Sequence, residues 1–278
     1  RSTESQMWLF HMMGGKRVFD PAVLSETEAR DLALNGAQIT DDELKRLSDH
    51  TDLQRLRFFD TKVKGPGLKH LSKLNRLEQI VFAGPHVTDE WLENLPELSG
   101  LRHVIISQTK VTDDGLMHLK RFPGLRRLDL RYSNLNDGAL KVLEHLPNLV
   151  TLYVGNTGIG DDSLANLRFT PKLSHLDLKH TAVTDKGLEH LRHIPNLLYF
   201  SLASDGVKGL GTANLKHTKK LEQLQFVGKN VSDSWLRPIP PLGELYWLEL
   251  NGTSITSAGL KPNTGWDSSS FLMIWGLC

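Results

Sequence analysis

The stretch HTAVTDKGLEHLRHIPNL, His180 to Leu197, holds a phrase, Val-Thr-Asp-Lys-Gly-Leu, whose variants return along most of the chain. QTKVTDDGLMHLKRFPGL closes at Leu125, and GPHVTDEWLENLPELSGL closes at Leu101. Working outward from these, Leu53, Leu77, Leu101, Leu125, Leu149, Leu173, Leu197, Leu221 and Leu245 stand 24 residues apart each time, so nine units run without insertion or deletion. A fixed period in this range is the mark of a stacked repeat, in which each unit buries its apolar side against its neighbours.

Inside a unit the apolar pattern changes period. Leu176 and Leu178 alternate with His175, Asp177 and Lys179, the period-two pattern of a half-buried strand. Leu188, Leu191 and Ile194 then recur every third residue, as in a short helix or 3₁₀ turn. Both sets must face one interior, so strand and helix form opposite walls of a coil. Stacking the coils sets the strands side by side, about 4.8 Å apart, in a parallel sheet on the inner side of an arc.

The full unit reads Leu-x-x-Leu-x-Leu-x-x-Thr-x-Val-Thr-Asp-x-Gly-Leu-x-x-Leu-x-x-Leu-Pro, and Leu173 to Pro195 fits it almost completely. It resembles the leucine-rich repeat family in its bacterial TDxGL form, over roughly residues 29 to 265. The resemblance implies an α/β, right-handed leucine-rich repeat solenoid, with a parallel concave sheet and short helices on the convex side. It also implies a role in protein recognition. The expected organisation is one elongated domain: an N-terminal cap over 1–28, a solenoid of about ten 24-residue units over 29–268, and a C-terminal strand or cap over 269–278.

The Thr-Asp pair reads as a helix start. Thr40, Thr88, Thr112, Thr184, Ser232 and Thr256 precede the helical leucines, and Asp41, Asp89, Asp113, Asp137, Asp161, Asp185 and Asp233 follow at the next place. Unpaired N–H groups at a helix start take acceptors from such side chains, and a carboxylate complements the dipole. Each aspartate is therefore expected to cap its own helix. A calcium ladder would need six to eight converging oxygens, which a row of single carboxylates does not supply.

No metal, cofactor or catalytic arrangement emerges. His70, His118 and His190 share one outer position but lie in separate units, and the His190–His193 pair reads as solvated helix surface. The lone cysteine, Cys278, excludes an internal disulfide and favours a reducing compartment, with a processed exported chain as the alternative. GGKRVF at Gly14 reads as a turn or hairpin, not a phosphate loop. Net charge is +1, which argues against nucleic acid as the main partner, and no apolar run reaches the length of a membrane span. The chain is read as no enzyme.

What varies from unit to unit is the sheet face away from the core. Arg127, Asp129, Arg131, Tyr132, Tyr153, His175, Asp177 and Tyr199 form a mid-arc patch rich in the residue types of interface hot spots, and Trp247 adds an aromatic towards the end. These are the expected contact residues for a protein partner of unknown identity. The alternatives are a lectin-like or small-ligand receptor and a substrate-recruiting module of an enzyme complex. SSSFLMIWGLC, at Ser268 to Cys278, is expected to add a strand with apolar Phe271, Met273 and Trp275 on its open side, a surface suited to self-association. The unit SDGVKGLGTANL, which lacks the Thr-Asp pair and has Thr212 at a leucine place, is expected to turn irregularly.

Overall fold

The computed structural model describes residues 10–13, 16–19, 30–36, 38–260 and 273–275. Where the repeat spacing predicts one continuous domain, the chain divides into two compact units, Arg1–Leu125 and Arg126–Cys278. In a stack each coil packs on its neighbours alone, so cohesion is local.

The first unit opens with two strands, β1 (Phe10–Met13) and β2 (Lys16–Phe19), paired antiparallel with Phe10 opposite Phe19. This is the hairpin expected around GGKRVF. These two strands form a sheet of their own, apart from the parallel one. Four parallel strands follow: β3 (Asp31–Asn35), β4 (Arg55–Phe59), β5 (Gln79–Ala83) and β6 (His103–Ser107). Leu32, Leu56, Ile80 and Val104 occupy one pairing row, as the period requires. The second unit holds β7 (Arg127–Asp129), β8 (Thr151–Tyr153), β9 (His175–Lys179), β10 (Tyr199–Ala203), β11 (Gln223–Phe226), β12 (Trp247–Glu249) and β13 (Met273–Trp275). All pair in parallel with their neighbours. Ile274 pairs with Leu248, two residues later than the 24-residue spacing places it. The side chains of Phe271, Met273 and Trp275, the expected self-association surface, are outside the described residues.

The opposite wall is built from short turns of helix. Asp161–Leu164 is α-helical and runs into a 3₁₀ segment, Ala165–Phe169, while Gly187–His193 is wholly 3₁₀. The core between the walls is closed to solvent: Leu152, Leu176, Leu188, Leu191 and Leu224 have no exposed surface. A strand-to-helix turn closes each coil, and non-glycine residues there are forced to positive φ, among them Tyr132 (61°), Asn156 (59°) and His180 (55°).

The Thr-Asp phrase needs a correction. Asp161 does not cap its own helix; its carboxylate accepts from Thr184 N–H at 2.8 Å and Thr184 Oγ1–H at 2.6 Å, 23 residues on in the next coil. Asp89 does the same to Thr112 at 2.7 Å for both bonds, and Asp233 to Thr256 at 2.8 Å for both. Asp41 and Asp185 reach Gly67 N–H at 2.9 Å and Gly211 N–H at 2.7 Å. Each of these five aspartates thus ties one coil to the next, so it satisfies a backbone N–H near a helix start as predicted, but in a neighbouring coil. The threonine keeps the local role: Thr184 Oγ1 accepts from Lys186 N–H at 3.2 Å. Hydrogen bonds from Thr256 hold the Asp233 carboxyl below its ordinary pKa.

This tie explains the glycine of TDxGL. A Cβ on Gly187 would lie 2.3 Å from Asp161 Oδ1, on Gly115 2.0 Å from Asp89 Oδ1, and on Gly259 2.3 Å from Asp233 Oδ1. Where the aspartate is replaced by Gly65 or Gly209, the residue facing it in the next coil is a tryptophan instead, Trp91 or Trp235, and both are buried. Trp91 packs edge-on against Phe58 and Phe82, at 5.4 and 5.2 Å between ring centres, and Trp235 packs against Phe226 at 5.3 Å. Those two coils turn through a positive φ, 126° at Gly65 and 107° at Gly209, into regular eight-residue 3₁₀ helices, Pro66–Lys73 and Leu210–His217. The irregular turn expected after Ser204 is therefore an ordered one. Thr212 is fully buried there, its one hydroxyl proton shared between Gly209 O at 2.6 Å and Trp235 O at 2.8 Å.

Candidate functional site

In the second unit the parallel register fixes which side chains meet on the open side of the sheet. One row runs Arg127, Thr151, His175, Tyr199, Gln223, Trp247, and the row beside it runs Asp129, Tyr153, Asp177, Ser201, Gln225, Glu249. Leucines and Phe200 alternate with them into the core, which holds the strands in place beneath the face.

Two arginines and a tyrosine form the centre. Arg131 grips Asp129 through two parallel bonds, Nε to Oδ1 at 2.9 Å and Nη2 to Oδ2 at 2.7 Å, and Arg127 Nη2 adds a longer one to Oδ2 at 3.4 Å. Both guanidinium carbons lie over the Tyr153 ring, 4.9 Å away for Arg127 and 5.1 Å for Arg131. Such cation–π contacts contribute roughly 0.5–2 kcal/mol each, more as water is excluded. The bonds to Asp129 raise the Arg131 pKa further above its already high value.

A second cluster adjoins it. The His175 ring stacks on Tyr199, 6.1 Å between centres and 22° apart, and its Nδ1 is 2.8 Å from Ser174 Oγ. Burial, and then the positive charge of Arg127, push the His175 pKa below its ordinary value, so the ring is neutral near pH 7. Gln225 Oε1 receives Lys179 Nζ at 2.9 Å, Tyr199 OH at 3.0 Å and Ser201 Oγ at 2.9 Å. Burial raises the Asp177 carboxyl pKa, and the Lys179 backbone N–H at 2.9 Å works against that rise. Burial likewise raises the Tyr199 phenol.

The residues singled out in the sequence are therefore not equivalent. Arg127 and Arg131 both touch Tyr153, and His175 touches Tyr199. Asp129 and Asp177 are 2% and 3% exposed, not open contact residues: Arg127 and Arg131 reach over Asp129, and Lys179 lies beside Asp177. They position arginine and lysine. Tyr132 lies off the face, 56% exposed at the turn after β7. Trp247 is half-buried in β12, separated from Tyr199 by the Gln223 strand. Lys179, Ser201 and Gln225 complete the second cluster and were not singled out; their places in the alternating rows are the only signal the sequence offers for them.

Arg127→Gln is expected to move the His175 pKa up towards its ordinary 6.5 while burial keeps it below. An NMR titration of the imidazole protons measures this; an unmoved titration would show that the two groups do not sense each other.

Other features are peripheral to this face. A cavity of about 870 Å³ opens at the turns, lined by His180, Thr181, Ser204, Asp205, Lys229 and Asn230 among others. Among the described residues, no group of three or more His, Cys, Asp or Glu could hold a metal ion, and no helix is long and apolar enough to cross a membrane.

A family profile described as Leucine Rich repeat matches residues 171–191, the segment that contains β9 and the start of its helix. With the parallel register and the recurring coil, this decides the fold. It is that of a leucine-rich repeat solenoid. Two solved structures share the fold. An internalin, inlF, from Listeria monocytogenes is 18% identical with a TM-score of 0.54, over 80% of this chain and 68% of that one. A TLR13–ssRNA13 complex is 20% identical with a TM-score of 0.57, over 81% of this chain and 32% of that one, so this leucine-rich repeat chain spans about a third of that neighbour's length. No curated protein matches the chain. The second neighbour is a complex with RNA by its description, so a leucine-rich repeat fold does not by itself exclude nucleic acid. The argument against it here is the net charge of +1 alone.

Proposed function

We propose that the protein is a recognition scaffold that binds a protein partner on the open sheet face of its second unit, with Tyr153 and Tyr199 as anchors and Arg127 beside them. The observation that carries this reading is the stack of Arg127 and Arg131 on Tyr153. It is an aromatic and arginine cluster on adjacent strands, held rigid by the buried Asp129. Tyr and Arg dominate interface hot spots, and side chains already ordered lose little entropy on being covered. Coils whose cores are near-identical while their outward rows differ are what a binding surface on a repeat scaffold requires.

Tyr153→Ala and Tyr199→Ala should each weaken partner binding at least about tenfold, in line with the roughly 2 kcal/mol of a hot-spot truncation. Glu189→Ala, on the exposed helical wall, should change nothing. Arg131→Ala is unsuitable as a probe, since it strips a buried carboxylate of its main partner and would unsettle the fold. The check is affinity capture with each variant as bait, followed by measured affinities for the proteins retained. Partners lost by Glu189→Ala and kept by both tyrosine variants would place binding on the helical wall.

A second reading, a receptor for a small polar ligand, draws on the cavity at the turns, whose volume of about 870 Å³ is of ligand-pocket size. Its mark would be glycan or metabolite binding that survives Tyr153→Ala.

A further inference from the structure

Around Tyr153 the cations and carboxylates of the second unit are unequally paired. A carboxylate offers about four acceptor positions. Asp129 fills them with Arg131 N at 3.3 Å, Arg131 Nε at 2.9 Å, Arg131 Nη2 at 2.7 Å and Arg127 Nη2 at 3.4 Å. The short bonds all belong to Arg131. The other carboxylate, Asp177, is taken by Lys179, through its N–H at 2.9 Å and its ammonium at 3.8 Å. Arg127 is left with one long contact, and its Nε is covered without any acceptor.

An arginine cannot relieve this by losing its proton. A covered N–H with no partner is unfavourable, and the four positions of Asp129, the carboxylate that Arg127 does reach, are already filled. The neighbouring His175 offers no negative charge, being neutral and itself sensitive to the Arg127 charge. Meanwhile the guanidinium carbon lies 4.9 Å from the centre of the Tyr153 ring, and the side chain as a whole stays 37% exposed, so a small shift of it opens its covered edge to a new acceptor. A planar guanidinium edge takes a carboxylate through two parallel bonds, which a neutral amide cannot match in charge.

We propose that Arg127 is the receptor for a carboxylate side chain, Asp or Glu, of the protein partner. That carboxylate is received edge-on by Nε and an adjacent Nη, with a small movement of the side chain, and supplies both the missing acceptor and the missing negative charge. The inference rests on the reading of this face as the recognition surface and adds the chemistry of what it recognises.

The test uses the full chain and three pools of short synthetic peptides, randomised except for a central Glu, Gln or phosphoserine. Wild type should bind the Glu pool about tenfold more strongly than the Gln pool, the scale of a desolvated charge-assisted pair. Arg127→Gln should bind the two alike while keeping the wild-type melting profile. Arg127→Lys, which keeps the charge and loses the fork, should retain only part of the preference. Arg57→Gln, in the first unit, removes an arginine whose Nε is likewise covered and unpartnered, and it should leave the preference intact.

Equal binding of the Glu and Gln pools by wild type, strong or absent, overturns the proposal. So does preference that survives in Arg127→Gln, equal loss in Arg57→Gln, or capture of the phosphoserine pool alone. Tyr153→Ala separates the two levels of argument. If it weakens every pool while wild type shows no preference for Glu, the carboxylate assignment alone falls. If it changes no pool, the reading of the face falls with it.

Discussion

Leu176→Ala should lower stability by about 2–5 kcal/mol, through lost apolar transfer and the cavity left behind. Leu176 has no exposed surface and sits in one pairing row with Leu152 and Phe200, so both strands flanking β9 lean on it. The coils on either side are held by their own leucines, Leu164 and Leu215 among them, and cannot close over the gap without breaking the spacing of the stack. The cost should therefore fall towards the upper part of the range. Lys186→Ala, exposed in the same repeat, should stay within about 0.5 kcal/mol of wild type. Denaturant melts of the three proteins, with hydrogen exchange to locate the weakened coils, make the comparison. A Leu176→Ala melt that overlays wild type would remove this register from the structure.

The core was legible because a strict period leaves no freedom: once Leu173 and Leu197 are aligned, each strand side chain is assigned to a wall. The face was legible only in part. Alternation says that Asp129 and Asp177 point away from the core, and they do, but it does not say that Arg131, Arg127 and Lys179 lie across them. Burial of a short side chain depends on how longer neighbours fold, and period-two patterning carries no such information. The end of the stack differs for another reason. The register of β13 is set by the chain between it and β12, which departs from the period by two residues. The Thr-Asp pair was assigned the right kind of bond and the wrong partner. Within a single unit the nearest unsatisfied N–H groups are those of its own helix, and nothing local reveals that the next coil brings Thr184 N–H within 2.8 Å of Asp161. A signal did exist between units: Gly187 and Gly211 follow aspartates, whereas Trp91 and Trp235 follow Gly65 and Gly209. A small residue is paired with a carboxylate and a large one with its absence.

That pairing makes the second large prediction. Gly187→Ala should destabilise by about 1–3 kcal/mol, as overpacking does, although alanine is the better helix former. The new Cβ would lie 2.3 Å from Asp161 Oδ1 and 3.1 Å from Val183 Cγ1. The carboxylate has little room to retreat, because both of its oxygens are held by Thr184. Asp161→Ala alone should cost about 0.5–2 kcal/mol, the scale of losing the acceptor at a helix start. Combined, the two changes should cost less than their sum by about 1 kcal/mol or more, because removing the carboxylate removes the atom that the methyl group strikes. With Asp161 gone, the helical preference of alanine is free to act, so Gly187→Ala in that background should be near neutral. Equilibrium unfolding of the wild type, both single variants and the double variant gives the coupling directly. Strictly additive losses would mean that the glycine answers to something other than the preceding aspartate, and the tie between coils would no longer explain why the repeat keeps Asp and Gly together.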